Sequence, residues 1–154
     1  MTQVDPSTEM TLFFDSVSIR RAAKVKGLHT DYTGLMHGLK MLYNIVEARL
    51  YIIKNTDSSD ASKFDAYVAQ VTKAGFKPII QEVSKDDGFF YFTPRICIDA
   101  LGVNTKQIGI GTTDISILPL LQTLKEREHT ITLFSIEKAA ILMPCVDNFY
   151  SAAK

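Results

Sequence analysis

Short apolar runs rich in β-branched and aromatic residues alternate along this chain with segments whose apolar residues recur at helical spacing, and few folds accept that order. Residues 10–14 (Met-Thr-Leu-Phe-Phe) are apolar almost throughout and stop at Asp15, the pattern of a strand buried on both faces. Ser16 to Lys26 reads as a helix ended by Gly27. Thr30 and Asp31 open a longer one reaching about Tyr43, with Leu35, Leu39 and Leu42 at helical spacing. Val46 to Ile53 makes a second strand. The polar loop from Asn55 to Asp60 supplies a cap for a helix over about Ala61–Ala74. Phe64, Tyr67, Val68 and Val71 are its apolar stripe, and Gly75 stops it.

Phe76–Val83 is a third strand, and Pro78 inside it argues for the sheet edge. Lys85-Asp-Asp-Gly88 signals a turn, after which Phe89–Phe92 suits a small hairpin strand. Pro94 fits the first turn of a helix running to about Leu101. Gln107–Gly111 is a fourth strand, a helix runs from Asp114 and Ile115 to Glu126, and Thr130–Ser135 is a fifth strand. A short helix near Glu137–Leu142 and an extended tail over Val146–Tyr150 complete the chain. Strands alternating with helices imply a mostly parallel, five-stranded sheet covered on both faces. The expectation is one α/β, Rossmann-like domain over residues 10–154 with strand order 3-2-1-4-5, preceded by a short extension over residues 1–9. In such a sheet, ligands sit outside the carboxyl ends of the strands where the order reverses, between strands 1 and 4.

Charge and composition narrow the partners. The 154 residues include 17 basic and 17 acidic ones, so the molecule offers no overall basic field, and a nucleic-acid binder would have to concentrate positive charge locally. No apolar stretch approaches the roughly 20 residues of a membrane span. Met-Thr-Gln-Val-Asp-Pro lacks the pattern of a secretory leader, so the expected location is the cytoplasm. Cys97 and Cys145 lack metal-binding or redox spacing and read as small buried thiols; His29, His37 and His129 read as surface or capping residues. Gly109-Ile-Gly111 does not complete a dinucleotide fingerprint, because position 114 is Asp.

That position is informative in another way. Asp15 ends strand 1 and Asp114 lies just beyond strand 4, so neighbouring strands would bring both carboxylates to the switch point. Asp99, in the helix that feeds strand 4, could lean over the same crevice. Three converging carboxylates repel one another unless a cation neutralises them. Mg²⁺ or Mn²⁺ suits such an oxygen site and can activate water for phosphodiester hydrolysis. The same residues also suit local duties: Asp15 and Asp114 as helix N-caps, Asp99 as a charge on a helix.

The segment Phe13-Phe14-Asp15-Ser16-Val17-Ser18-Ile19 resembles the first motif of the NYN branch of the PIN-like nucleases. Ile98-Asp99-Ala100-Leu101 resembles their mid-chain acidic segment, and Ile110 to Leu121 resembles the NYN signature S-G-D-S-D-F-x-P-L-L, with Pro119-Leu-Leu in register. The likeness runs from Met10 to Phe149. It implies a metal-dependent endoribonuclease in which Asp15, Asp99 and Asp114 hold Mg²⁺ or Mn²⁺, with Ser116 assisting. The family's second Asp of the third motif is Ser116 here, its usual Gly is Thr113, and its frequent Asn after the first Asp is Ser18. Those departures open the alternative of a catalytically degenerate PIN-like fold that binds RNA or protein. Arg20, Arg21, Lys24, Lys54 and Arg95 are the candidates for contacting RNA phosphates, Tyr91 and Phe92 for stacking on bases or packing in the core. A homodimer through the aromatic run and the tail is a third arrangement.

Overall fold

A computed structural model describes residues 6–28, 30–57 and 61–151. The last three residues of the expected cap loop (58–60), His29 and most of the extension over residues 1–9 lie outside them. The strands are β1 (Glu9–Asp15), β2 (Asn44–Asn55), β3 (Lys77–Val83), β4 (Gln107–Gly111), β5 (Thr130–Ser135) and β6 (Asn148–Ser151). The helices are α1 (Ser16–Val25), α2 (Tyr32–Leu42), α3 (Ala61–Lys73), α4 (Thr93–Leu101) and α5 (Leu118–Glu126). The sheet has the order β3-β2-β1-β4-β5-β6, and every pairing in it is parallel. Among the described residues no helix is long and apolar enough to cross a membrane.

β1 is buried from Met10 to Asp15 because it lies between two neighbours and under helices on both faces. Successive side chains of a strand point to opposite faces. Met10, Leu12 and Phe14 therefore join one cluster with α2 and α3, including Leu35, Leu39 and Val71. Phe13 joins the other with α4 and α5, including Ile96, Ala100, Leu121 and Leu124. Each large side chain so buried contributes on the order of 1.5–3 kcal/mol. β4 carries Gly109 and Gly111 where it faces Phe134 and Phe14: a Cβ on Gly109 would stand 2.7 Å from Phe134, and one on Gly111 would run into the Phe14 ring.

Pro78 does lie on an edge strand, as expected. The C-terminal tail is more than extended. It forms β6, a sixth strand beside β5, locked by Asp147, whose carboxylate accepts from the Ile131 amide at 2.8 Å while its own amide donates to the Ile131 carbonyl at 2.9 Å. The helix expected near Glu137–Leu142 is a turn followed by a 3₁₀ turn over Met143–Cys145. Six residues with Leu142 as the one deeply buried anchor do not offset the cost of helix nucleation, and Pro144 withholds a donor from any continuation.

Phe89–Phe92 forms no strand. Ser84 caps a 3₁₀ turn at Lys85–Asp87, and Asp57 ties it down by accepting from the Lys85 amide; Gly88, at φ 78°, then turns the chain across the carboxyl ends of the strands toward α4. Phe90 and Phe92 pack on each other with ring centroids 5.0 Å apart, and Phe92 reaches Tyr51 in the core. Phe89 and Tyr91 remain 81% and 58% exposed. Both cysteines are free and half-buried rather than fully buried.

Candidate functional site

The chain order reverses between β1 and β4, and Asp15 and Asp114 both stand there. Asp15 ends β1 and caps α1: its Oδ1 accepts from the amides of Val17 at 3.0 Å and Ser18 at 3.3 Å. It is 4% exposed. Burial pushes its carboxyl pKa up, the hydrogen bonds from Ser18 and Val17 oppose the rise, and the negative charge of Asp114 adds to it. Asp114 caps the 3₁₀ turn Ile115–Ile117. Its Oδ1 accepts from the Ser116 amide at 3.0 Å and its Oδ2 from the Thr93 hydroxyl at the start of α4. Burial raises its pKa too, but the Thr93 hydroxyl and Ser116 outweigh that and hold it below the usual carboxylate range.

Hydroxyls bind the two loops together. Ser18 Oγ lies 3.1 Å from Thr112 Oγ1 and accepts from the Thr113 amide at 3.2 Å, while Thr113 Oγ1 donates to the Ser18 carbonyl at 3.2 Å. Thr112 Oγ1 also accepts from the Asp114 amide at 3.1 Å. Ser18 and Thr113 thus fasten α1 to the β4 loop. Thr93 and Thr112 were not among the residues the sequence singled out, and the only signal for Thr93 was its place just before Pro94.

Asp99 belongs elsewhere. α4 begins beside Asp114 through Thr93 and runs away from it; at about 1.5 Å per residue, Asp99 is displaced by about 9 Å along the helix axis. There it accepts from the Tyr51 hydroxyl at 2.7 Å and from Arg95 Nε at 3.0 Å, with Arg49 at 3.9 Å. The network neutralises its charge and satisfies a phenol whose residue is fully buried. The expected convergence of three aspartates is therefore not what the chain builds, because helix geometry separates Asp99 from the strand ends that hold the other two. Among the described residues, no group of three His, Cys, Asp or Glu side chains is placed to hold a metal ion. The three-carboxylate set implied for Mg²⁺ or Mn²⁺ does not fit this arrangement.

Asp15 and Asp114 line a cleft of about 330 Å³ together with Ser18, Arg21, Thr113 and the rim Phe90–Phe92. The Arg21 guanidinium sits 5.8 Å from the ring centroid of Phe89, the residue preceding that rim. Arg20 and Lys24 instead face a larger cavity of about 950 Å³ between α1, the start of α2 and α3; Arg21 borders both. Lys54 lies over the Phe64 ring at 5.5 Å and near Glu82 at 3.9 Å, outside the lining of the cleft. Arg95 is engaged with Asp99. Ser116 is exposed and contributes its amide to Asp114. Of the candidate phosphate contacts, the structure thus brings Arg21 to the cleft, groups Arg20 and Lys24 beside it, and leaves Lys54 and Arg95 in pairs of their own.

No family model and no curated protein matches the sequence. Among solved structures, the chain is similar to a crystal structure of a protein of unknown function from Vibrio parahaemolyticus, with a TM-score of 0.77 and 16% identity over 96% of this chain and 94% of that one. At that identity the likeness establishes a shared fold.

Proposed function

We propose that the switch-point cleft binds single-stranded RNA, and that the chain is a PIN-like module whose hydrolytic site has been lost. The observation that carries this reading is the rim above Asp15 and Asp114, where exposed Phe89 and Tyr91 stand beside Arg21. Bases would stack on the two aromatic rings, and Arg21 would take a phosphate, a combination that binds strands without reading their sequence. The buried, capping Asp15 and the hydrogen-bonded Asp114 hold the loops in place. The loss of the acidic partner at Ser116 and the engagement of Asp99 with Tyr51, Arg49 and Arg95 support binding over cleavage.

Fluorescence anisotropy with a labelled single-stranded RNA tests the reading. Tyr91→Ala is expected to weaken binding by about 5- to 150-fold, the equivalent of one lost stack of about 1–3 kcal/mol. Absence of binding at low salt, or an unchanged affinity in both Tyr91→Ala and Arg21→Ala, would defeat it.

Metal-assisted cleavage of RNA is the second reading, and the observation in its favour is the mutual repulsion of Asp15 and Asp114, which a divalent cation would relieve. Incubation of RNA with the protein and Mn²⁺, beside Asp114→Asn, separates the two. Cleavage that disappears in the variant would favour the second.

A further inference from the structure

The larger cavity on α1 collects polar groups for which the fold itself has no use. The hydroxyls of Thr30, Tyr32 and Tyr67 are buried; the Tyr32 and Tyr67 phenols lean on each other without a well-formed hydrogen bond, and Thr30 Oγ1 has no hydrogen-bond partner among the described residues. All three residues line the cavity. Buried polar groups are satisfied as a rule, so three incompletely satisfied hydroxyls around one cavity require an explanation. Tyr32 is 8% exposed. Burial first, and the neighbouring Tyr67 phenol second, push its pKa up, so the phenol keeps its proton and remains a donor.

Positive charge lines the same cavity. Arg20 and Lys24 are four residues apart on α1 and therefore share a face. Among the described residues neither is ion-paired. Asp31 also borders the cavity, but its carboxylate accepts from the Gly34 amide at 3.1 Å as the cap of α2. Arg20 lies 5.8 Å from the Tyr67 ring centroid, and its charge partly opposes the rise at Tyr32, so it stands near both phenols. Arg20 is exposed, and a ligand reaches the hydroxyls only if side chains at the cavity mouth such as this one swing aside.

We propose that this cavity holds the phosphate of an organic phosphate monoester of mononucleotide size. The Thr30, Tyr32 and Tyr67 hydroxyls donate to its oxygens, and Arg20 and Lys24 offset its charge. A dianion uses donors and cations together, whereas a neutral ligand would leave Arg20 and Lys24 unused. The volume of about 950 Å³ accommodates more than a bare phosphate, and Leu28 and Ile53 supply apolar wall for the remainder. The phosphate could arrive on a free mononucleotide or on the 5′ end of a strand. The inference goes beyond the RNA reading of the cleft and does not depend on it.

Calorimetric titration of the whole chain with adenosine 5′-monophosphate, adenosine and inorganic phosphate provides the test. Hexameric RNA carrying either a 5′-hydroxyl or a 5′-phosphate distinguishes the two sources. The monophosphate is expected to bind about tenfold or more tightly than adenosine, as hydrogen bonds to a charged group imply. Arg20→Ala/Lys24→Ala should lose that advantage. Tyr32→Phe/Tyr67→Phe, which removes two oxygens and keeps both rings, should weaken the monophosphate at an unchanged or higher Tm. A 5′-phosphate that tightens the hexamer beyond the free nucleotide assigns the site to a strand end; equal or weaker binding assigns it to the free nucleotide. Equal affinity for adenosine and its monophosphate, no phosphate binding up to about 10 mM, or unchanged affinity in both double variants would overturn the proposal. RNA binding that is lost in Tyr91→Ala while the monophosphate still binds would leave this site standing, and the reverse result would leave only the cleft.

Discussion

Asp15 and Asp114 occupy similar positions, each capping a turn at the end of a parallel strand, yet their environments act on them in opposite directions. Asp15 has a folded pKa above its ordinary value, chiefly through burial. The native state therefore holds that proton more tightly than the unfolded chain, and the contribution of Asp15 to stability falls as pH rises from the ordinary aspartate value through the folded one. Asp114 has a lowered pKa, so its contribution is present above the ordinary value and is lost as pH falls through the folded one. Asparagine caps about as well as aspartate. Asp15→Asn should then be neutral or stabilising at pH 7, with its advantage shrinking in acid, while Asp114→Asn should be destabilising at pH 7 and less so in acid. Urea unfolding of both variants at pH 7 and in acid checks the opposite signs.

Asp99 gives a third residue-level expectation. Truncation to Ala leaves the buried Tyr51 hydroxyl without its acceptor, and is expected to cost about 1–3 kcal/mol in urea unfolding. Under the proposed RNA reading, affinity should fall less than in Tyr91→Ala, since the network meets the cleft only through the Tyr51 ring packed on Phe92. Asp15 and Asp114 were legible in the sequence because strand ends are marked by where apolar runs stop. Asp99 was misplaced because a residue number within a helix does not say how far along the axis its side chain stands from a neighbouring loop.

At the level of elements, β4 is the most constrained. It carries small residues where its neighbours carry rings: Gly111 leaves room for Phe14, and Gly109 for Phe134. Gly111→Ala forces the Phe14 ring out of its place between Tyr32 and Phe76, and is expected to cost about 1–3 kcal/mol, the usual range for overpacking. Chemical denaturation of that variant, beside a Gly27→Ala control whose added Cβ meets nothing within 4 Å, separates crowding from the strain of a positive φ. β1 to β5 were readable from periodicity and composition. β6 was visible only as an extended tail, because four residues carry too little pattern, and pairing with β5 together with the Asp147–Ile131 lock decides it.

At the scale of the whole molecule, equal numbers of acidic and basic residues mean that, under the proposed RNA reading, attraction is local to the face of α1 and the cleft. If two or three phosphates are neutralised, the logarithm of the binding constant should fall with that of salt at a slope of about −1.4 to −2.1. Anisotropy titrations across a salt series measure it; a much steeper slope would mean a larger basic surface than the structure presents.

The parallel α/β architecture, the strand order at its centre, the edge position of β3 and the placing of Asp15 and Asp114 at the switch point were all determined by the sequence alone. Their signals are local: where an apolar run stops, where a helix is capped, where a proline removes a donor. Tertiary structure alone decided that Asp99 partners Tyr51 and Arg49, that Ser18 and Thr113 fasten α1 to the β4 loop, and that Arg20, Tyr32 and Tyr67 line one cavity. Each of these joins residues far apart in the chain through side-chain reach and the pitch of a helix, quantities that a one-dimensional pattern does not carry.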